Sequence, residues 1–355
     1  MTRKRLALSA LAVLMTTVCV HAQSAEQTRA AQVDALMSRY AGDGAGASLL
    51  VTRDGKAIVR RGYGYANLEE HVKASPETNY RLASVTKQFT AACILLLKQD
   101  GKLRLEDRVR KWLPQLPASD DKITLYHLLT HTGGLIDYED LIPPGRTTQL
   151  NDADVLSMIA SQHRLYFEPG SAHRYSNGGY VLLGLVVERA SGMDLADFMK
   201  KRIFEPLGMK HTLMYEHDRG PQVSNRAYGY SEVNGKWVRT DQDTTSATRG
   251  DGGIYSSVDD LAKWDAALYT DKLLDAESRR MAFSAHEPTD DPDVSYGFGW
   301  RIAGNTVWHS GESIGFRNVI IRWPNQHLAV IILSNRNEFQ PYPLALAIGQ
   351  LFLQR

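Results

Sequence analysis

Cysteine is nearly absent. Of two in 355 residues, Cys19 falls in an N-terminal apolar run and only Cys93 lies beyond it. The rest of the chain therefore has no internal disulfide to rely on, and Cys93 reads as core filler. An excess of one charge is equally lacking. Lys plus Arg total 41 against 40 for Asp plus Glu, a net charge of +1, so no global field draws nucleic acid or an acidic polymer to the surface. No apolar run reaches the ~20 residues of a membrane-spanning helix, and there is no internal repeat or low-complexity linker. What is present, an apolar fraction of 43% and a charged fraction of 23%, suits a soluble globular chain with ample core.

The N-terminus has its own character. Arg3, Lys4 and Arg5 precede the apolar stretch Leu6 to Val20, and Val20-His21-Ala22 follows. A basic start, a short apolar run and small residues at the cut predict a secretory signal peptide over 1–22, cleaved after Ala22. Val18 before Cys19 argues against a lipid-attachment site. The expected mature chain, 23–355, is then periplasmic or secreted.

The centre of the chain is the run opened by Ser84-Val85-Thr86-Lys87. Phe89, Ala91, Ala92, Cys93, Ile94, Leu95, Leu96 and Leu97 follow, closed by Asp100-Gly101. Such a run predicts a helix buried on most of its faces, hence at the middle of a domain. Its first turn places a hydroxyl and an ammonium on one face. Serine becomes a nucleophile only when something takes its proton, and a nearby lysine can share in that. Ser84 is thus the candidate nucleophile and Lys87 part of its proton-handling apparatus. A second Ser-x-x-Lys, Ser119 to Lys122, follows Pro114 and Pro117, carries two acids and leads no apolar helix, so it reads as a solvated turn.

Around this helix the pattern predicts a helix over Gln27 to Tyr40 and a hairpin of Gly46 to Val51 and Ala57 to Tyr65, turned at Asp54-Gly55. Helical signals dominate from Lys102 to Met209, including 152–161, 178–190 and 194–204. The polar region 215–248 has no assignable pattern. Ser257 caps a helix to Tyr269. The tail is β-rich, with strands over 296–302, 306–310, 313–323 and 328–334 before a final helix from Pro343 to Leu353. Early and late strands with helices between predict an α/β chain of the α+β type. Its mixed, mainly antiparallel sheet would be built from both chain ends, with a mostly helical lobe, about 102–250, inserted and a cleft between the two.

Two more patterns fall where serine acyl transfer would need them. Tyr175-Ser176-Asn177 ends a loop just before a helix. A tyrosine beside a lysine can act as base, because the ammonium stabilises the phenolate. Asn177 carries both a donor and an acceptor, suited to orienting Lys87 and a substrate amide. His309-Ser310-Gly311 lies on a strand, where Gly311 would let a substrate backbone approach the sheet edge. The N–H of Glu312 could join that of Ser84 as an oxyanion hole. Each pattern recurs, as Tyr65-Ala66-Asn67 and as His131-Thr132-Gly133. Those copies sit on an early strand and in an inter-helix loop, and are set aside on that ground.

Taken together, the three motifs resemble the serine β-lactamase and penicillin-binding-protein superfamily. The similar branch holds class C β-lactamases, D-Ala-D-Ala carboxypeptidases, D-aminopeptidases and related esterases. Leu128 to Leu135, Gly252 to Ser257 and Glu205 to Met209 are similar to that branch's framework segments, and the likeness spans about Gln27 to Leu353. The resemblance implies an acyl-enzyme at Ser84, with Lys87 and Tyr175 sharing activation and Asn177 holding the substrate amide. Water activated by Tyr175 would then release the acyl group, with no metal or organic cofactor. Most class C β-lactamases carry lysine where this chain has His309, a residue largely neutral at pH 7. The expected substrates are therefore D-amino-acid-containing peptides or amides of cell-wall type. Esters or β-lactams are the alternative on the same machinery, and a penicillin-binding sensor without turnover is a further one.

Overall fold

The structure is a computed structural model that describes residues 27–216, 220 and 222–353. The expected signal segment over 1–22 lies outside them. The main sheet has eight strands, β1 (Ala47–Arg53), β2 (Lys56–Tyr63), β3 (Glu287–Pro288), β4 (Ser295–Tyr296), β5 (Arg301–Ala303), β6 (Thr306–Ser313), β7 (Phe316–Trp323) and β8 (Leu328–Ser334). Their spatial order is β3-β4-β5-β6-β7-β8-β1-β2. Every pairing is antiparallel, so the sheet is simpler than the mixed one expected. The join between β1 and β8 sets Ala47 opposite Ser334 and Arg53 opposite Leu328, closing the sheet from both ends of the chain.

Four helices define the layers: α1 (27–36), α2 (Lys87–Gln99), α3 (Asn177–Ser191) and α4 (Pro341–Leu353). Side chains on a strand alternate between faces, and the core divides accordingly. Leu49, Val51, Val319, Ile321, Val330 and Ile332 pack with Val33 of α1 and Ile348 of α4. Their neighbours Leu50, Ile320, Ile331 and Leu333 face the other way, against the α2 side. A sheet covered on both faces gives near-continuous apolar strands, and β8 is buried at every position. On the far layer, Lys87 through Leu97 of α2 are all buried, as its unbroken apolar run predicts.

A buried ion pair ties the helix Val258–Ala267 to the sheet. Arg322 Nε on β7 donates to Asp265 Oδ1 at 2.5 Å, with side-chain exposures of 1% and 3%.

Several expected elements sit differently. Leu105 to Leu113 is helical only over Val109–Trp112, and the 194–204 helix breaks into Leu195–Met199 followed by a wide turn over Lys200–Phe204. The strand expected over 296–302 is two short strands, β4 and β5, separated by a turn at Gly299 with φ of 76°. β6 runs on through Gly311 to Ser313, past the break expected after Ser310. Within the unassigned 215–248 region lies a hairpin, Tyr230–Val233 with Lys236–Arg239, turned at Asn234-Gly235, both with positive φ. Helices including Leu125–Leu129, Asp152–Ala160 and α3 form the layer that covers α2 away from the sheet.

Candidate active site

Ser84 lies in a tight turn, Ala83–Thr86, that runs straight into α2. The turn is held from two sides. Ile254 N–H donates to Thr86 Oγ1 at 3.2 Å, and the side-chain amide of Asn318 on β7 donates to the carbonyl of Arg81 at 2.8 Å. Gly311 of β6 packs against the turn so closely that a Cβ there would stand 2.0 Å from the Leu82 carbonyl oxygen. The physical need for glycine is thus the nucleophile turn itself, a different reason from the substrate approach expected of it.

Lys87 is fully buried. Its Nζ donates to Ser84 Oγ at 3.1 Å, to Asn177 Oδ1 at 2.6 Å and to the Asp251 carbonyl at 3.0 Å. An ammonium has three N–H bonds, and all three are engaged. Asp251 is anchored in turn. Thr90 Oγ1 on α2 donates to the neighbouring Gly250 carbonyl at 2.6 Å. Arg249 spans Asp152, Glu188 and Asp194 at 2.8, 2.7 and 2.8 Å.

Asn177 begins α3, and a local network fixes it there. Ser176 caps the helix by accepting from Gly179 N–H at 3.1 Å. The same hydroxyl donates to Asp137 Oδ2 at 2.6 Å, and Gly178 N–H donates to that oxygen at 3.1 Å. With its oxygen turned to Lys87, Asn177 directs Nδ2 to Glu139 Oε1 at 3.0 Å.

Tyr175 meets Lys87 through its ring face, with Nζ 4.9 Å from the centroid. Its hydroxyl is buried and makes no hydrogen bond among the described residues. A second cation, the Arg301 guanidinium, lies 5.6 Å from the same centroid. The structure therefore gathers Ser84, Lys87, Tyr175 and Asn177.

His309 stands behind this group rather than in the opening. It is 1% exposed, and its ring lies 6.2 Å from that of Tyr175. Its Nδ1 is 2.6 Å from the Ser310 carbonyl, so Nδ1 carries the proton. Nε2 then accepts from the Tyr296 hydroxyl at 2.9 Å. Burial first, and the Arg301 charge second, hold the imidazole well below its ordinary 6.5. Both nitrogens are spent internally, so neither is presented to a substrate.

Ser84, Asn177, Glu139, Asp251 and Glu312 line one cleft of about 340 Å³. β5 pairs with β6 only over Thr306 to Trp308, which leaves the outer edge of Ser310 to Glu312 unpaired among the described residues. An extended ligand could add along that edge.

Sequence reasoning passed over several members of the site. His131, set aside as a stray copy of the histidine motif, packs against Tyr175 with ring centroids 4.3 Å apart and the planes tilted by 38°. Its Nδ1 accepts from Ser176 N–H at 3.1 Å, and burial holds it neutral, well below 6.5. Its place inside the framework segment Leu128 to Leu135 was the available signal. Asp137, Glu139 and Asp251 carried none. Glu139 is pushed up to about 7, by desolvation first and then by the Asp137 and Asp251 carboxylates. The other Ser-x-x-Lys behaves as expected, since Ser119 donates to Asp120 and Lys122 reaches Glu168 at 3.1 Å.

A family model described as Beta-lactamase matches residues 29–352. The chain belongs to the β-lactamase family. A penicillin-binding protein of Bacillus subtilis (strain 168) is 34% identical over 317 residues, covering 84% of this chain and 70% of that one. Further relatives at 30–31% identity are longer, the chain spanning 60–61% of their length. Among solved structures, the octameric penicillin-binding protein homologue from Pyrococcus abyssi superposes with a TM-score of 0.81 at 26% identity, over 93% of this chain and 77% of that one. A D-amino acid amidase from Ochrobactrum anthropi SV3 gives 0.76 at 25%, over 93% and 96%. The fold of this family member is the β-lactamase and transpeptidase-like one that its motifs resemble, and the chain is a serine hydrolase.

Proposed function

We propose that this β-lactamase-family hydrolase works through an acyl-enzyme on Ser84, with D-amino-acid-containing peptides or amides as acyl donors. The observation that carries the chemistry is the three-way engagement of Lys87. Donating to Ser84 Oγ, Asn177 Oδ1 and the Asp251 carbonyl, the ammonium has no lone pair to offer as a base. It leaves the serine proton to another acceptor, and Tyr175, whose ring centre lies 4.9 Å from Nζ and whose hydroxyl makes no hydrogen bond among the described residues, fills that role in this reading.

In this scheme Tyr175, having given its own proton to solvent, stands as a phenolate and takes the Ser84 proton as Oγ attacks the substrate carbonyl. Lys87 and Arg301, at 4.9 and 5.6 Å from the centre of its ring, stabilise the phenolate before that transfer. The tetrahedral oxyanion is received by the N–H groups of Ser84 and Glu312. Tyr175 then delivers the proton to the leaving group and, in reverse, activates the water that frees the acyl group. Ser310 and Gly311 supply strand edge for the substrate backbone, and His309 supports the Tyr175 wall as a neutral ring.

The substrate class is supported by that neutral histidine, by the open strand edge and by similarity to the D-amino acid amidase. The basic, short apolar segment over 1–22 supports export behind a cleaved signal.

The test is turnover of a panel: a D-Ala-D-Ala peptide, a D-aminoacyl amide, a short-chain ester and a cephalosporin, with intact mass followed over time. A transient acyl adduct that Ser84→Ala abolishes is expected, with the D-configured amides turned over best. Persistent adducts without release would make the protein a penicillin-binding sensor. Faster hydrolysis of the ester or cephalosporin would move the assignment to an esterase or β-lactamase.

A further inference from the structure

A second hollow, of about 960 Å³, is lined by Asp43, Tyr65, Leu68, Glu69, His71 and Trp237. None of these lines the Ser84 cleft, and none enters the acyl-transfer scheme. Three segments build it: the loop before β1, the short antiparallel pair Tyr65–Asn67 with Val72–Lys73, and the hairpin of Tyr230–Val233 and Lys236–Arg239.

The hairpin is fastened to the short pair. Tyr230 and Arg239 both donate to the Glu69 carboxylate, and the Tyr230 hydroxyl accepts from Leu68 N–H at 2.9 Å. The Trp237 ring lies 4.6 Å from the Arg336 guanidinium. It approaches Gly44 so closely that a Cβ there would stand 2.9 Å from the indole Nε1. Tyr65 carries the Lys73 ammonium 3.8 Å from its ring centre, and His71 meets the same ring edge-on at 6.0 Å. His71 does so from a left-handed backbone, φ 53°, a conformation that costs free energy in any residue but glycine and is kept only where the surroundings impose it.

These contacts decide the chemistry of a ligand. Lys73 and Arg336 already supply cations to the Tyr65 and Trp237 rings, and Arg239 pairs with Glu69, so a cationic ligand finds its places taken. An anion would meet the Asp43 and Glu69 carboxylates. The uncommitted groups are mixed in kind. Among the described residues the side chains of Asp43 and His71 and the indole N–H of Trp237 form no hydrogen bond or ion pair. A carboxylate accepts, an indole N–H donates and an imidazole with one proton does both. Hydroxyl groups, each a donor and an acceptor, match that set, and the apolar C–H face of a sugar ring matches an aromatic wall.

We propose that this hollow binds a neutral saccharide, a pyranose unit of a glycan chain lying against the Trp237 and Tyr65 rings with its hydroxyls on Asp43, His71 and the indole N–H. The site goes beyond the acyl-enzyme reading and does not depend on it; it would hold the hydrolase on glycan-bearing material while the Ser84 cleft works.

The experiment titrates the purified protein with cellotriose, with N,N′,N″-triacetylchitotriose and with tetramethylammonium chloride, read by tryptophan fluorescence and saturation-transfer NMR. A saturable response to at least one trisaccharide is expected, with a Kd on the order of 1 mM for so open a site. Trp237→Ala and Asp43→Asn should each weaken it about tenfold. Asp43 is exposed and Trp237 half-buried, so both variants should fold, which their thermal midpoints check. Ser84→Ala should bind with unchanged affinity.

Silence towards both trisaccharides overturns the inference, as does an affinity that survives both variants. Saturable binding of tetramethylammonium with the sugars silent would make the hollow a cation cage, and overturns it too. A sugar response lost in Ser84→Ala would put the saccharide in the nucleophile cleft instead. Loss of hydrolysis in Ser84→Ala with sugar binding intact supports both readings, whereas undiminished hydrolysis removes the acyl-enzyme and leaves the saccharide site standing.

Discussion

Gly311 and Leu82 meet backbone to backbone: the strand that flanks the cleft rests directly on the carbonyl of the residue two before the nucleophile. A methyl group cannot share that space at 2.0 Å, so Gly311→Ala must part β6 from the nucleophile turn. Misplacing reacting groups by about 1 Å can cost on the order of 10²-fold in rate. The expected outcome is such a loss in kcat/KM, with a fall in stability of about 1–3 kcal/mol from overpacking. Steady-state kinetics and urea unfolding of the variant measure both.

Tyr175→Phe separates chemistry from folding. The hydroxyl it removes has no hydrogen-bond partner among the described residues, so the fold loses no internal bond. A thermal midpoint equal to or above that of wild type is expected, with kcat reduced about 10²- to 10⁴-fold as for loss of a general base. Near-normal turnover would take the phenol out of the mechanism.

Two buried histidines set a stability trend with pH. His131 and His309 are both held well below 6.5 in the fold, chiefly by burial. The unfolded chain takes up their protons near 6.5, so below that pH it binds more protons than the native state, and stability falls as pH falls. Their contribution is fully present above about pH 6.5 and is lost progressively through the window below it, towards the depressed native values. Glu139, held up to about 7, works in the opposite sense over the same range, so the readout is differential: in scanning calorimetry across that window the midpoint of His309→Gln should fall less than that of wild type.

The Arg322–Asp265 pair predicts an asymmetry. Asp265→Ala strands a buried guanidinium and should cost about 3–5 kcal/mol, whereas Arg322→Met combined with Asp265→Leu should cost much less. Urea midpoints at unchanged m-value decide between this and equal losses.

What the sequence disclosed was local or periodic. The apolar run after Lys87 announced a buried helix, and the dense apolar pattern of Leu328 to Ser334 announced a strand. The three-residue spacing of Ser84 and Lys87 places them on one face wherever the helix goes. His131 was misjudged because its role comes from a contact with Tyr175, 44 positions away. Glu139 gains its character from desolvation and then from Asp137, Asp251 and Asn177, and of these only Asp137 is a neighbour in sequence. The π-type turn at Lys200–Phe204 and the split between β4 and β5 were hidden because apolar spacing continues across both. Gly311 was singled out for substrate approach, whereas the constraint on it comes from the Leu82 backbone, far earlier in the chain.

The β1–β8 seam joins segments separated by nearly the length of the protein. A ribosome delivers β1, β2 and the Ser84 turn first, and the Gly311 strand and Leu328–Ser334 long after them. Until then Ser84 has neither the oxyanion partner proposed at Glu312 nor a wall behind it. On the proposed mechanism, the growing polypeptide is inert towards substrate until the last strands close the sheet.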